Sequence, residues 1–482
     1  MNKKQNLVVI GAGAGGLVSA YIAAAVKANV TLIEANLMGG DCLNYGCVPS
    51  KALIHIADQM KQSQLIAQTG MVDSSFTQLD FTKVMAQVKG AIAQIQPKDS
   101  IERYRELGVN VIHGKAKILS PTQVEVTGTN GKEIIDTKHI IIATGGKPKL
   151  LNIEGLKPEA IYTSETIWNL EQLPKNLLIV GGGAIACELG QAFRRLGSHV
   201  SLLTRSGILS NQDPQASQII ERVLETEGVN IYKQCKDFKV NEENMTFTSL
   251  NVLKSIKFDA VLMATGKTGN SEYLGLENTN IITNEQNYIP VNAYNQTTEK
   301  SIYAVGDITG GAQFTHTAAH GAWFATVNSL FGRFKRYKYN LDNVPFAIFT
   351  NPQLATIGRS EAQLIQNNIE FDLTELPINE NDKMICNNKQ EGLIKVWTKK
   401  DTDKVLGVVI VGDQASELMP QWVWLMKQNA GLNTLMGMPH IYPSYNEINK
   451  AIAGKWKLTQ SKKPKTQFLL SIVKWMHDRS VK

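Results

Sequence analysis

The chain has 482 residues, 43% hydrophobic and 19% charged, so we expect a folded protein of roughly three domains. Its five cysteines exclude a disulfide scaffold and fit a reducing cytoplasm. Residues 455–482 hold eight Lys or Arg and one acidic residue. The whole chain has 50 Lys or Arg and 43 Asp or Glu, so the first 454 residues have 42 of each, and the whole net charge of +7 lies in this tail. A neutral body argues against nucleic-acid binding. We predict no nucleic-acid partner and no resident metal site.

A glycine-rich turn near the N-terminus has the order of elements that binds a dinucleotide. Residues 7–10 predict a buried parallel strand, an Ala-rich helix follows, and a second strand ends at Glu34. Gly11, Gly13 and Gly16 lie between the first strand and the helix, where they let the backbone approach a pyrophosphate. Glu34 is placed to bind an adenosine ribose.

Two cysteines separated by four residues, Cys42 and Cys47, open a predicted helix shortly after this turn. The spacing alone is weak evidence, because most cysteine pairs are simply buried. Behind a dinucleotide turn, however, two thiols can form a redox relay, since a thiolate exchanges electrons with both a flavin ring and an external disulfide. We interpret the two residues as a redox-active pair, with two structural cysteines as the alternative.

A second dinucleotide unit surrounds Gly181, Gly183 and Ala186, which again follow a strand and open a helix. Two such units in one chain imply two dinucleotides, one for each end of an electron transfer. Thr204 occupies the place of the acid that favours NAD, and Arg205 follows it. Because arginine can accommodate a 2′-phosphate, the sequence favours NADPH. The alternative for Arg205 is a solvated surface side chain.

Further short motifs complete a resemblance to a known family. One strand ends on Thr144-Gly145, another on Gly266, and a later one on Gly306-Asp307. Together with the two dinucleotide units and the cysteine block, these motifs resemble the class I pyridine nucleotide-disulfide oxidoreductases, the flavoprotein disulfide reductases. The resemblance is strongest to mercuric-reductase-like members and extends to dihydrolipoamide dehydrogenase.

The resemblance implies an α/β architecture with two Rossmann-type dinucleotide-binding domains, for FAD and NAD(P), and an α+β C-terminal dimerisation domain. The implied boundaries are 1–150 for the FAD-binding domain with its dithiol, 151–275 for the NAD(P)-binding domain, 276–344 for a return segment completing the FAD domain, 345–455 for the interface domain and 456–482 for a basic amphipathic tail. The implied cofactor contacts are Gly11, Gly13, Gly16, Glu34, Thr144, Gly145, Gly306 and Asp307 for FAD, and Gly181, Gly183, Ala186, Arg205 and Gly266 for NAD(P)H. Within the first domain we predict a polar loop at residues 69–77 and two short strands at 109–112 and 115–119.

The resemblance also implies the roles of the catalytic residues. Electrons pass from NADPH through FAD to the cysteine pair, with Cys47 facing the flavin and Cys42 meeting the substrate. Lys51 matches a lysine beside the flavin, and Glu188 matches its carboxylate partner, without which a buried lysine would be costly. The alternative for Glu188 is an ordinary helix-surface residue. Members of the family are homodimers, with an active site shared between subunits.

The C-terminal motif departs from dihydrolipoamide dehydrogenase and glutathione reductase. Where those enzymes have a histidine of an acid–base dyad, this chain has Tyr442, while Pro443 and the dyad's Glu447 are kept. With a pKa of ~10 against ~6.5, a tyrosine is a poor proton shuttle at neutral pH. His440 is an alternative base, although a structural role is favoured for it. Tyrosine at this position is a feature of mercuric reductase, whose C-terminal cysteine pair has no counterpart here, since no cysteine follows Cys386.

Our leading hypothesis is an FAD-dependent NADPH oxidoreductase, with NADH possible, acting on a small thiol-reactive, metal or quinone-like acceptor in the cytoplasm. One alternative is a dihydrolipoyl dehydrogenase using dihydrolipoamide and NAD. An alternative of another class is a membrane-recruited flavin redox sensor or adaptor.

The tail contains a predicted amphipathic helix. Phe468, Leu469, Ile472, Val473 and Met476 fall on one helical face, among basic residues. We favour packing of this face on the protein's own body or on the partner subunit. The alternatives are peripheral contact with a membrane, which suits a basic amphipathic helix, and disorder.

Overall fold

The computed structural model describes residues 5–70, 79–129, 131–340 and 343–480. The chain forms two units, each with its own core: Met1–Ile208 with Glu227–Leu341, and Leu209–Thr226 with Asp342–Lys482. The architecture is α/β, with two Rossmann-type sheets in the first unit and an α+β sheet in the second. Most of the polar loop predicted at residues 69–77 falls at 71–78, outside the described residues.

The strands and helices follow one another along the chain in this order. Up to residue 142 they are β1 (Gln5–Ile10), α1 (Ala14–Ala25), β2 (Val30–Glu34), α2 (Gly40–Asn44), α3 (Cys47–Gln68), α4 (Phe81–Ile95), α5 (Ile101–Glu106), β3 (Asn110–Ser120), β4 (Gln123–Gly128) and β5 (Gly131–Ile142). Up to residue 304 they are β6 (Gly146–Pro148), β7 (Ile161–Thr163), β8 (Asn176–Val180), α6 (Ala184–Leu196), β9 (His199–Leu203), α7 (Pro214–Thr226), β10 (Asn230–Tyr232), β11 (Lys236–Asn241), β12 (Asn244–Ser249), β13 (Val252–Lys257), β14 (Ala260–Met263), β15 (Lys267–Gly269) and β16 (Ile302–Ala304). The remainder are α8 (Thr315–Phe331), β17 (Phe346–Ile348), β18 (Gln353–Gly358), α9 (Glu361–Gln366), β19 (Phe371–Pro377), α10 (Asp382–Cys386), β20 (Leu393–Lys399), β21 (Val405–Gly412), α11 (Ala415–Lys427), α12 (Leu432–Gly437), α13 (Glu447–Ser461) and α14 (Pro464–Ser480).

The first sheet places the N-terminal glycine turn at the end of its central strand. Five strands run parallel in the order β3-β2-β1-β5-β16, and β3, β4 and β5 continue into an antiparallel meander. Leu7 and Val9 of β1 pack with α1 and α8, whereas Val8 and Ile10 pack with the meander. Burial on both faces explains why β1 is a continuous apolar run.

The prediction of two separate strands at 109–112 and 115–119 is wrong, because the structure has the single strand β3. This strand pairs in parallel with β2 as far as His113 and antiparallel with β4 from Gly114 onward. A Cβ at Gly114 would lie 2.8 Å from the carbonyl oxygen of Thr127. The glycine therefore lets β3 change its partner strand without interruption. The alternation of apolar and polar residues breaks at Gly114, but the strand continues through it.

The second sheet repeats the first in outline. Its five strands are parallel in the order β10-β9-β8-β14-β7, and β11, β12 and β13 form a separate antiparallel sheet. The second glycine turn follows β8. The short strands β6 and β15 pair with each other, one after Gly145 and the other after Gly266. This pairing holds the two Thr-Gly turns beside each other.

The second unit is built on an antiparallel sheet in the order β17-β18-β21-β20-β19. Its core combines sheet residues with buried side chains of α11 and α13, among them Trp422 and Trp456. Residues 209–226, which the sequence assigns to the NAD(P)-binding domain, belong to this unit by their contacts. The domain boundaries predicted from the sequence remain predictions.

A buried ion pair fixes α7 within the second unit. One oxygen of Asp213 accepts the backbone N–H groups of Gln215 and Ala216, at 3.1 and 3.0 Å, and so caps the start of the helix. The other oxygen lies 2.9 Å from Nζ of Lys395 in β20. Both charged side chains are buried. The carboxylate is therefore satisfied only by the combination of helix cap and lysine.

The tail helix α14 lies on the surface of the second unit. Its apolar side chains are exposed, so within the described residues the expected packing on the chain's own body is not observed. None of the helices in the described ranges is both long and apolar enough to cross a membrane.

Candidate active site

The two cysteines of the sequence motif lie on consecutive helices of the first unit. Cys42 is inside α2, and Cys47 is the first residue of α3. The turn before them needs Gly39 and Gly40, whose φ angles are +88° and +56°. A Cβ on Gly40 would lie 2.6 Å from Cα of Gly13. The cysteine segment therefore lies directly against the first glycine turn.

The two thiols are hydrogen-bonded to each other, which makes them chemically unequal. The hydrogen bond from Cys42 lowers the pKa of Cys47 to about 6, with help from Thr315 and the charge of Lys51, and together they outweigh the partial desolvation of this exposed thiol. The same bond, together with burial, raises the pKa of Cys42. Oγ1 of Thr315, at the start of α8, lies 3.2 Å from Sγ of Cys47. In the reduced pair the thiolate therefore belongs to Cys47 and the thiol proton to Cys42.

An ion pair joins the cysteine helix to the helix of the second dinucleotide turn. Nζ of Lys51 lies 2.8 Å from Oε2 of Glu188, whose side chain is buried. Two turns further along both helices, Asp58 of α3 contacts Arg195 of α6. The structure thus brings together Lys51 and Glu188, which the family resemblance pairs. The contact between Asp58 and Arg195 joins the same two helices a second time.

A lysine that the sequence analysis missed connects the cysteine loop to the aspartate assigned to FAD. Nζ of Lys267 contacts the carboxylate of Asp41, the residue before Cys42, and lies 3.1 Å from Oδ2 of Asp307. Burial opposes the charge on Lys267, but Asp307 and Asp41 more than offset it, so its pKa is raised. The only signal in the sequence is its position directly after Gly266, the repeated Thr-Gly turn.

The first and the middle glycine of each turn differ in the space around them, and they do so in the same way in both turns. A Cβ on Gly11 or Gly181, the first of each turn, would lie within 2.4 Å of a carbonyl oxygen of Ala143 or Ala264. The middle glycines differ: at Gly13 the nearest atom to an added Cβ is 3.9 Å away, and at Gly183 no atom lies within 4 Å. Protein packing therefore explains the first glycines but not the middle ones. Open space over the middle ones, at the start of a helix, fits the approach of a pyrophosphate.

Other residues assigned to the first cofactor surround the same turn. Glu34 is buried at the end of β2, where its oxygens accept the N–H groups of Ala12 and Asn36 at 2.6 and 2.7 Å. Ionised carboxylates have about four acceptor sites, so Glu34 keeps capacity for a ribose hydroxyl. Two hydrogen bonds to Asn270 fix Thr144. The side-chain amide of Asn270 donates to the backbone carbonyl of Thr144, and the hydroxyl of Thr144 donates to the backbone carbonyl of Asn270. These residues fit a bound dinucleotide.

The residues that decide between NADH and NADPH lie in the loop after β9. Thr204 is buried, and its hydroxyl accepts the N–H of Gly207 at 2.9 Å, so it closes a turn. Arg205 is exposed at the outer edge of this turn. The loop thus presents the cation of Arg205 to a nucleotide ribose, and position 204 presents no carboxylate.

The C-terminal motif belongs to the second unit. The hydroxyl of Tyr442 donates to Oδ2 of Asp382 at 2.8 Å, and this bond raises the pKa of Tyr442. Glu447, at the start of α13, accepts the N–H of Ser444 at 3.2 Å. A tyrosine that donates to a carboxylate is a weaker acid than a free one, so its phenolate form is even scarcer at neutral pH. The sequence analysis missed Asp382, which lies 60 residues earlier in the chain.

His440 has both ring nitrogens engaged. Nδ1 lies 2.9 Å from the carbonyl oxygen of Met438, and Nε2 lies 3.0 Å from Nε2 of Gln421. Nδ1 therefore donates to the carbonyl oxygen, and Nε2 accepts a hydrogen bond from the amide. This arrangement supports the structural role for His440.

Comparison with known proteins agrees with this geometry. The model of the pyridine nucleotide-disulphide oxidoreductases matches residues 5–322, and that of their dimerisation domain matches residues 344–452. The chain belongs to this family. Its members use FAD and NAD(P)H, so the chain is an FAD-dependent enzyme of the pyridine nucleotide-disulfide oxidoreductase type, and the dimerisation domain supports a homodimer.

Relatives within the family carry the names of different activities. The chain is 33% identical to a mercuric reductase of Lysinibacillus sphaericus, over 86% of this chain and 76% of the relative. It is 31% identical to a dihydrolipoyl dehydrogenase of Chlamydia pneumoniae, over 93% and 96% respectively. Among solved structures, the Cu(II) complex of the HOCl-induced flavoprotein disulfide reductase RclA from Escherichia coli superposes with a TM-score of 0.82 at 26% identity, covering 94% of this chain and 99% of that one.

Within this enzyme family the lowered pKa of Cys47 has a testable consequence. Because that pKa is about 6 rather than 9.0, the thiolate is present at pH 7 and takes up a proton as the pH falls through 6. We expect the long-wavelength thiolate–flavin absorbance of the two-electron-reduced enzyme to fall with a midpoint near pH 6, leaving about a tenth one pH unit lower. Thr315→Val removes a hydrogen bond to the thiolate and should raise the midpoint. A midpoint near 9 would contradict the assignment.

Proposed function

We propose that the enzyme passes two electrons from NADPH to the Cys42–Cys47 disulfide and on to a small thiol-reactive, metal or quinone-like acceptor. Bound FAD supplies the two-electron relay between nucleotide and disulfide. The observation that carries the proposal is the unequal pair of hydrogen-bonded thiols beside the first glycine turn, with Lys51 and Glu188 joining it to the second. Reduction breaks the S–S bond and leaves Cys47 as thiolate and Cys42 as thiol, so Cys42 carries the proton.

What the C-terminal motif lacks supports an acceptor other than a dithiol or disulfide substrate. Exchange with a dithiol substrate needs a group that moves a proton at neutral pH, and Tyr442, bonded to Asp382, is unsuited to that task. A soft metal ion displaces the proton of the Cys42 thiol as it binds, and this proton is released to solvent, so reduction of a bound metal ion depends less on a protein base. The relatives named as mercuric reductase, and the Cu(II) complex of RclA, support a metal ion among the candidate acceptors.

An acceptor screen with purified holoenzyme tests this proposal. We expect NADPH oxidation with Hg(II), Cu(II) or a quinone to exceed that with glutathione disulfide or lipoamide. Turnover of dihydrolipoamide with NAD at hundreds per second, typical of efficient enzymes, would instead identify a dihydrolipoyl dehydrogenase. Absence of NADPH oxidation even with dichlorophenolindophenol would favour the redox sensor or adaptor without turnover.

The nucleotide preference rests on Arg205. Arg205→Ala should raise the KM for NADPH about 10- to 100-fold, since it removes charge-assisted hydrogen bonds to the 2′-phosphate. The KM for NADH, which has no such phosphate, should change little. Steady-state kinetics with both nucleotides measures the difference. Arg222→Ala, an exposed arginine paired with Glu391 in the second unit, is the matched control. Equal effects of Arg205→Ala on both nucleotides would contradict the assignment.

For the assembly and its location, we propose a cytoplasmic homodimer in which Tyr442 and Glu447 of one subunit border the dithiol of the other. We also propose a peripheral contact of this dimer with the membrane through the tail helix α14. The exposed apolar side chains and basic residues of that helix support the contact. No nucleic-acid partner is proposed.

A further inference from the structure

The helix α14 presents an exposed apolar surface. Phe468 is 67% exposed and Trp475 54%, and the neighbouring apolar residues of the helix, Leu469, Leu470, Ile472, Val473 and Met476, are between 39% and 55% exposed. Single exposed apolar residues are ordinary, but seven within nine positions form a continuous surface, and such surfaces mark sites of interaction.

The base of this helix is tied to the second unit. Nζ of Lys463, just before α14, lies 3.0 Å from Oδ2 of Asp372 and 2.6 Å from Oδ1 of Asp401. The preceding helix α13 buries Trp456 in the core. At the far end, the guanidinium of Arg479 stacks over Trp475 at 3.9 Å. The helix therefore projects from a fixed base and keeps a cation beside its apolar surface.

The charge of the chain distinguishes between possible partners of this surface. Residues 455–482 carry all of the net charge of +7, whereas the first 454 residues are neutral. A second copy of a neutral body offers no electrostatic reason to attract a basic helix. An anionic lipid surface does, at about 1 kcal/mol for each nearby Lys or Arg, and exposed Trp and Phe suit the interface.

We propose that α14 binds the surface of a bilayer containing anionic lipid, with Phe468, Ile472 and Trp475 in the interface and Lys474 and Arg479 among the headgroups. This inference rests on the proposed peripheral contact and adds the lipid class and the residues. With 17 residues the helix is roughly 25 Å long, shorter than the ~30 Å hydrocarbon core, and it lies on the membrane rather than across it.

Co-sedimentation of the holoenzyme with vesicles tests the proposal, with flavin absorbance in the pellet as the readout. We expect binding to phosphatidylcholine vesicles that contain phosphatidylglycerol at low salt, and release at high salt. Lys474→Gln with Arg479→Gln should weaken partitioning about 25-fold, or about fivefold per charge. Phe468→Ser with Ile472→Ser and Trp475→Ser should weaken it at least ~10-fold. The matched control, Leu253→Ser with Lys254→Gln, alters an exposed apolar–basic pair on β13 and should bind normally.

Three results would overturn the inference in different ways. If the full chain stays in the supernatant at low salt, there is no membrane contact. If it binds pure phosphatidylcholine equally well, or ignores salt, the contact stands and the anionic lipid class is wrong. If the apolar variant sediments as a monomer where the unaltered enzyme is a dimer, the helix docks on a second copy. None of these depends on the acceptor, so the enzymatic proposal succeeds or fails separately.

Discussion

Replacing Cys42 by serine is expected to abolish dithiol-dependent acceptor reduction, by at least ~10³-fold, while FAD stays bound and is still reduced by NADPH. Cys42 carries the thiol whose pKa is raised, and it is the residue assigned to meet the acceptor. The glycine turns and the Lys51–Glu188 pair are untouched by this change. Rapid mixing with NADPH measures flavin reduction, and steady-state assay with the preferred acceptor measures the loss.

Cys47→Ser should cause the same loss of turnover and also erase the long-wavelength absorbance of the reduced enzyme, because Cys47 is the thiolate of the pair. Cys386→Ser, which changes an exposed cysteine of the second unit, is the control and should leave both properties intact. Survival of the absorbance in Cys47→Ser, with its loss in Cys42→Ser, would mean that the two roles are reversed.

Breaking the buried ion pair of the second unit should have the largest effect on stability. Lys395→Met leaves the Asp213 carboxylate buried without its cation, and loss of one partner of a buried pair costs about 3–5 kcal/mol. Asp213 still caps α7 in this variant, so the helix cap is kept while Lys395 loses its contacts with Asp213 and, at 3.7 Å, with Glu375. Urea unfolding of the holoenzyme, followed by circular dichroism, measures the shift in midpoint.

The chain offers a matched control for this variant. Lys400 forms an ion pair with Asp372 at 3.3 Å, but its side chain is 49% exposed. Lys400→Met should therefore cost less than ~1 kcal/mol. Asp213→Asn combined with Lys395→Met should recover part of the loss, since no buried carboxylate is then left without a cation. Equal effects of Lys395→Met and Lys400→Met would show that the buried pair contributes no more than a surface one.

The glycine turns could be predicted from the sequence because each is a local event. Strand, turn and helix follow one another around Gly11 and Gly181 without interruption. Each of these two positions must be glycine because a Cβ there would collide with a backbone carbonyl oxygen. The pair Lys51–Glu188 spans 137 residues and could be named only from the family resemblance. Nothing in the sequence near either residue identifies the other.

Several functional contacts were not predicted, and they share a physical cause. Cys47 meets Thr315 across 268 residues, and Lys267 meets Asp41 across 226. Each residue alone is an ordinary polar residue, and tertiary packing alone selects its partner. The contacts that place α7 in the second unit could not be predicted for the same reason, since its pattern after the second glycine turn is that of any amphipathic helix. The exposure of α14 on its own chain was not predicted, because an apolar stripe usually packs on the body that carries it, and packing on the partner subunit stays a prediction.

The ion pair between Asp213 and Lys395 also has a consequence for biosynthesis. The partners are 182 residues apart, so at 5–20 residues per second α7 leaves the ribosome roughly 10–40 s before Lys395 is made. During that interval its apolar residues Ala216, Ile220 and Leu224, which are buried in the finished protein, have nothing to pack against. The nascent chain therefore carries α7, with its apolar face uncovered, between the two segments of the first unit, which is complete before the second unit has been synthesised.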